Sequence, residues 1–260
     1  MSGLLPFVTF LRYRNRRRSD QCRYLTAIRK PNPIGPVKFP SFASHDSTRM
    51  RDPYVAHVSP MLSLQQCQEI ASALAEKDWY ALTDALSAED VMQLRQQAAH
   101  LHENGLMQPA AIGRGTGRQV QPHTRSDLTA WFDENSPLQQ QFMAGLDRLR
   151  QTLNEQFFLG LVEQEAHFAC FPAGGFYRRH FDSFRGNNAR RITVVCYLNP
   201  DWQAEDGGAI RLYNGQEVMT DIVPHGGTLL VFLSEAIPHE VLPALKARYS
   251  IAAWLRIRSA

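Results

Sequence analysis

The chain has 260 residues, 44% of them hydrophobic and 20% charged, with a formal net charge of +3. That length admits one sizeable domain or two small ones, and no apolar run approaches the roughly 18–20 residues that a membrane-spanning helix needs. Residues 1–51 carry 11 Lys+Arg against 2 Asp+Glu, leaving 17 against 23 in the remainder, so the body is acidic and nucleic acid is a poor main substrate for it.

At the N-terminus the apolar run Leu4-Leu5-Pro6-Phe7-Val8-Thr9-Phe10-Leu11 precedes its arginines. A secretory signal has the opposite order, so a cytoplasmic protein is expected. Arg12, Arg14, Arg16, Arg17 and Arg18 offer a surface for anionic partners. The same segment holds Pro31, Pro33, Pro36 and Pro40 and no sustained periodicity, which predicts a disordered basic extension over 1–53, with a native start at Met50 as an alternative. Cys22, Cys67, Cys170 and Cys196 stand far apart and read as free thiols rather than a disulfide framework or a zinc site.

Structure is expected from residue 54 onward. Ser63 caps a helix in which Leu64, Cys67, Ile70, Ala71 and Leu74 recur at helical spacing, ending about Trp79. Ser87 with Asp90 resembles a capping box and opens a second helix through about His102, with Gly105 just beyond. Residues 109–127, rich in Gly, Pro, Gln and Arg, read as a long loop. A third helix starts at Ser136-Pro137, buries Phe142, Leu146, Leu149 and Leu153, and is ended by Gly160.

The pattern then changes to short β-rich runs at 166–171, 191–198, 209–213, 218–223, 228–233 and 248–257, separated by glycine turns. Such spacing predicts an antiparallel sandwich or jelly roll. Helices first and strands after make the fold α+β, with N-terminal helices supporting one sheet.

The chemistry gathers late in the chain. His180-Phe181-Asp182 closes a predicted strand, and period-two alternation puts residues 180 and 182 on one face. His239, at the start of a late strand, is the candidate third ligand. Two histidines and one carboxylate on one side of a metal leave the other positions open, the arrangement of non-heme Fe(II) oxygenases. Arg248 stands in the apolar strand Arg248-Tyr249-Ser250-Ile251-Ala252-Ala253-Trp254-Leu255. A buried guanidinium wants a carboxylate, which a bound dicarboxylate would supply. His167 and His225 read as structural, and His100 and His102 fall on different faces of a helix, a poor metal pair.

His180-x-Asp182, His239 and Arg248 resemble the 2-oxoglutarate oxygenases, whose core is a double-stranded β-helix of the jelly-roll kind. Within that superfamily the chain is similar to the prolyl hydroxylases related to the hypoxia-sensing enzymes. The matching text is Ala169-Cys170-Phe171-Pro172, Gly175 to Asp182, Tyr197 to Trp202, Gly207-Gly208-Ala209-Ile210-Arg211, Pro238-His239-Glu240-Val241 and Arg248-Tyr249-Ser250-Ile251. The resemblance covers roughly residues 55–258. It implies one oxygenase domain over 54–260, with helices over 63–160 and the jelly-roll core over 164–258.

By that resemblance His180, Asp182 and His239 bind Fe(II), and Arg248 with the Tyr197 hydroxyl holds the distal carboxylate of 2-oxoglutarate. Tyr177 and Trp254 sit beside the metal. Arg125-Ser126-Asp127 with Trp131 is similar to a mobile loop that folds over a peptide. The resemblance further implies O2 as cosubstrate, ascorbate as an accessory reductant, and C4 hydroxylation of a prolyl residue with 2-oxoglutarate converted to succinate and CO2. The expected partner is a protein carrying the target proline, with elongation factor Tu as one example, and the enzyme is expected to be a monomer. Two positions depart from the pattern. Phe171 stands for a tyrosine and Ala252 for a threonine, which implies altered cosubstrate affinity. Other readings are a nucleic-acid demethylating oxygenase, against which Trp254 stands where an arginine is usual, a non-catalytic sensing module, and a metal-free sandwich.

Overall fold

The computed structural model describes residues 60–112, 119–183 and 189–258. The expected extension over 1–53 and the domain start at 54 lie outside the described residues. The helices are α1 (Leu64–Glu76), α2 (Ala88–Glu103) and α3 (Pro137–Phe157). The strands before α3 are β1 (Trp79–Leu82), β2 (Gln108–Pro109), β3 (Ala111–Ile112), β4 (Gln119–Val120) and β5 (Leu128–Trp131). After it come β6 (Glu163–Phe171), β7 (Tyr177–His180), β8 (Arg190–Tyr197), β9 (Ile210–Asn214), β10 (Glu217–Ile222), β11 (Leu229–Leu233), β12 (His239–Val241) and β13 (Arg248–Arg256).

A seven-stranded sheet has the order β1-β11-β8-β13-β6-β5-β2, a four-stranded sheet the order β10-β9-β12-β7, and β3 pairs with β4. The larger sheet is antiparallel throughout and is buried on both faces. Ile192, Val194 and Cys196 of β8, with Tyr249, Ile251, Ala253 and Leu255 of β13, face the three helices in one core. The alternate residues Val195 and Tyr197, with Ala169, Phe171, Leu230 and Phe232, meet Ile210, Leu212 and Val241 of the smaller sheet in a second core. Two facing sheets enclosing their own core, with helices on the outer side of one, make the jelly-roll α+β architecture that the strand pattern predicted.

The helix caps follow the sequence. Ser63 and Gln66 exchange both capping-box hydrogen bonds. The Ser87 side chain accepts from Asp90 N and donates to its carboxylate. Three boundaries differ from expectation. α1 stops at Glu76 because Trp79–Leu82 is claimed by the sheet edge, where Trp79 pairs with Phe232. α3 ends at Phe158 in the left-handed conformation rather than at Gly160, because the Asn154 amide clamps both backbone groups of Leu161 and closes the turn without glycine at the cap. Residues 109–127 include the ribbon β3–β4 rather than a structureless loop.

The helical layer is held by burial. Phe142→Ala in α3, a fully buried site at the junction of the helices and the sheet, should cost about 3–5 kcal/mol in urea denaturation. Ser63→Ala should cost only about 1 kcal/mol.

Candidate active site

His180 ends β7, and Asp182 follows it at the sheet's end. His239 opens β12, which pairs with β7 so that His239 sits opposite His180. The register therefore joins residues 59 positions apart as cross-strand neighbours. One ligand atom from each of His180, Asp182 and His239 lies within 4.8 Å of the others. His180 Nε2 is 3.4 Å and His239 Nε2 3.8 Å from the same Asp182 Oδ1. The expected triad is thus brought together.

Each ligand is oriented by a partner behind it. His180 Nδ1 lies 2.8 Å from the Arg178 carbonyl and His239 Nδ1 3.1 Å from that of Ile237. A carbonyl only accepts, so each Nδ1 carries the hydrogen and each Nε2 presents a lone pair. Asp182 divides its oxygens: Oδ2 accepts from Thr193 Oγ1 at 2.8 Å and Trp254 Nε1 at 3.1 Å, which leaves Oδ1 facing the imidazoles. Thr193 is in turn 2.8 Å from the Ser234 hydroxyl. Burial pushes the His239 imidazole down to about 4, with His180 adding to the shift, so it stays neutral at physiological pH. Burial alone would raise the Asp182 carboxyl, but His239, His180 and Arg190 together hold it well below the usual carboxylate range. The two imidazoles and one carboxylate, gathered on one side of a common position, fit a divalent iron with open positions opposite.

Arg248 opens β13 and is 2% exposed. Its Nε donates to the Gly208 carbonyl at 2.8 Å and Nη1 to Ser250 Oγ at 3.3 Å. Among the described residues no carboxylate forms an ion pair with it, and burial holds its pKa below the ordinary value. The guanidinium lies 5.0 Å from the Tyr197 ring, whose hydroxyl is buried without a hydrogen-bond partner, and burial pushes that phenol upward. A cation short of an anion beside an orphaned hydroxyl fits a small carboxylate. Phe171, at the position of the expected tyrosine, packs 5.1 Å from the guanidinium and offers no polar contact. Ala252 faces Val195 and His167 in the sheet. Gly208 is needed here: its φ is +70°, and a Cβ would lie 2.9 Å from Ala244 Cβ and 3.1 Å from Arg248 Cδ.

Tyr177 stacks on His180 at 3.5 Å and 17°. Arg125 covers Tyr177 at 4.2 Å and forks onto Asp127 with hydrogen bonds of 2.7 and 2.6 Å. A bridge between Arg125 and Tyr177, with Ser126 N donating to the Phe176 carbonyl and Phe176 N to Ser126 Oγ, docks this segment beside the ligands. Trp131 stands further out, 52% exposed and edge-on to His167 at 5.1 Å, with Trp254 beyond at 5.3 Å. It also lines a separate concavity of about 740 Å³ with Gln97, Leu106 and Gln139, which contains none of the triad. His225 lies near the Trp202 carbonyl, and His102 contacts the Tyr249 hydroxyl, both away from the triad. The sequence reading missed Thr193, Ser234, Ser250 and Gly208. Alternation along β8 from Tyr197 would have put Thr193 on the site's face, but nothing local names its partner.

Residues 166–256 match the family model described as the 2OG-Fe(II) oxygenase superfamily. The fold is similar to a prolyl-4-hydroxylase of Pseudomonas putida (TM-score 0.67, 37% identity, 74% of this chain and 99% of that one). It is also similar to a prolyl hydroxylase in complex with a hypoxia inducible factor oxygen degradation domain peptide fragment from Trichoplax adhaerens (TM-score 0.65, 28% identity, 74% and 91%). In sequence it is 29% identical to mouse prolyl hydroxylase EGLN3 over 61% of this chain and 70% of that protein.

Titration of metal-free protein with Mn(II) should show one site, absent in Asp182→Ala, and Thr193→Val should weaken it by about 10- to 100-fold. His239 and His167, both pushed by burial to about 4, bind protons less readily folded than unfolded. Their stabilisation is complete above the unfolded value and is lost as the pH falls from about 6.5 towards 4. The urea midpoint of the metal-free protein should decline over that window, and His167→Phe should flatten part of the slope.

Proposed function

The chain belongs to the 2-oxoglutarate/Fe(II) oxygenase superfamily and is of the prolyl-hydroxylase type, and we propose that it hydroxylates C4 of a prolyl residue in a protein substrate. The observation that carries this reading is the pairing of two separate needs on one interior surface. His180, Asp182 and His239 gather three ligand atoms around one position, while Arg248 and Tyr197 are a buried cation and hydroxyl without a carboxylate. A short keto diacid satisfies both.

Fe(II), 2-oxoglutarate and O2 together supply the oxidising chemistry when bound, with the cosubstrate going to succinate and CO2. The protein's own part is orientation and exclusion of water. His180, Asp182 and His239 would hold the metal, one ligand atom from each. Arg248 and Tyr197 grip the distal carboxylate, charge-assisted on one side and by the phenol on the other. Phe171, Phe232, Ile237 and Val195 keep the space between the sheets apolar, which strengthens that grip. Tyr177 and Arg125 wall the open side, where a substrate loop would rest.

The similarity to a hydroxylase solved with a peptide supports a polypeptide substrate. An abundant intracellular protein such as elongation factor Tu, bound by a monomeric cytoplasmic enzyme, is the specific form of the proposal. Ascorbate would serve to keep the iron reduced.

Purified protein incubated with Fe(II), 2-oxoglutarate and cell extract should release succinate and yield a prolyl peptide one oxygen heavier by mass spectrometry; absence of any such peptide would count against the substrate class. Tyr197→Phe should weaken 2-oxoglutarate binding roughly tenfold, the worth of one hydrogen bond to a charged group. Arg248→Leu should cost about 2–5 kcal/mol, with Mn(II) affinity retained in both variants.

A further inference from the structure

Glu165 lies outside the triad and the cosubstrate residues, on β6 opposite Trp254 of β13. Its Oε1 accepts from Arg190 Nε at 2.8 Å and lies 2.7 Å from Arg190 Nη2, while Oε2 accepts from Arg256 Nη1 at 3.2 Å. The Arg190 guanidinium in turn lies 3.5 Å from the centroid of the Trp254 ring. His167 packs against the same indole at 5.3 Å and 51°. The indole's single polar group, Nε1–H, donates to Asp182 Oδ2. A continuous set of contacts therefore runs from Glu165 through Arg190 and Trp254 to the oxygen of Asp182 that faces away from the imidazoles.

We propose that Glu165 is a positioning residue for the metal-binding carboxylate, acting through Arg190 and Trp254. The physical reason is the planarity of each group. A guanidinium covers an aromatic face only in certain orientations, and a carboxylate oxygen shared by Nε and Nη2 sets that orientation. The Arg190 side chain is 27% exposed. Without Glu165 the guanidinium loses the acceptor shared by its Nε and Nη2, and the orientation in which it covers the indole is no longer set. Trp254 then loses one of its two flanking contacts, and its N–H no longer holds Asp182 Oδ2 in one place. Oδ1 loses its fixed aim at the metal position as a consequence. Glu163 on the same edge pairs with Arg256 at 3.3 Å.

The proposal rests on the metal-binding reading of the triad and is independent of the substrate. The test uses the whole chain, with Mn(II) as a redox-stable probe and free Mn(II) measured by electron paramagnetic resonance. Glu165→Ala should raise the Mn(II) dissociation constant about three- to tenfold, less than the 10- to 100-fold typical of a direct partner of a ligand. Glu165→Gln, which keeps an acceptor for Arg190, should lie between Glu165→Ala and wild type and serves if the alanine variant does not fold. In a Trp254→Phe background, which lacks the indole donor, adding Glu165→Ala should cost nothing further. The KM for 2-oxoglutarate at saturating metal should not move, because Arg248 lies at the opposite end of β13. Wild-type affinity in Glu165→Ala, or additive losses in the Trp254→Phe background, would each overturn the proposal. Failure of the wild-type protein itself to bind Mn(II) would instead overturn the metal reading on which it stands.

Discussion

The period-two alternation of the central strands is the constraint on which the rest depends. β6, β8, β11 and β13 each turn one set of side chains to the helices and the other set to the space between the sheets. On β13 the helix-facing set is Tyr249, Ile251, Ala253 and Leu255, and the interior set includes Arg248, Ser250 and Trp254. A slip of one residue would exchange the two sets, sending the arginine into the apolar helix interface and the leucine into the site. Packing against the helices therefore selects the register that also aims the chemistry.

Within that frame the site separates two electrostatic tasks. Around Asp182 everything favours an unprotonated, single-faced ligand: Thr193 and Trp254 occupy one oxygen, and the two imidazoles face the other. Near Arg248 the interior is short of negative charge instead, and the orphaned Tyr197 hydroxyl adds a donor with nowhere to donate. Such groups are costly to bury alone, and their persistence in an otherwise apolar core points to a ligand that completes them. The Arg125–Asp127 fork and the Tyr177–His180 stack carry the order of the metal site outward to the surface segment beside it.

Much of this was legible in the chain. Helix starts at Ser63, Ser87 and Pro137 were visible because capping is local and the side chains that cap are short and polar. Helix ends were less so: Trp79 belongs to a strand whose partner is Phe232, more than a hundred residues later, and no local pattern reports such a pairing. The ribbon at 111–112 and 119–120 was hidden by a composition that reads as loop. Among site residues, Arg248 stood out as a charge in an apolar strand and His180, Asp182 and His239 by residue type and spacing, whereas Thr193, Ser234 and Ser250 did not. Small hydroxyl residues are common in strands, and only their partners give them a role.

The chain alone determined the classes of its elements, the acidic character of its body, and the set of side chains able to bind a metal and a dicarboxylate, because these follow from residue type and short-range period. Tertiary structure decided which of them meet. The β7–β12 pairing puts His239 opposite His180, the turn at Gly208 lays a carbonyl on Arg248, and the β6–β13 register sets Glu165 against Trp254. The two strand pairings are long-range choices made by burial of both sheet faces at once, the Gly208 contact follows from where they bring the turn, and none has a signature in any short window of sequence.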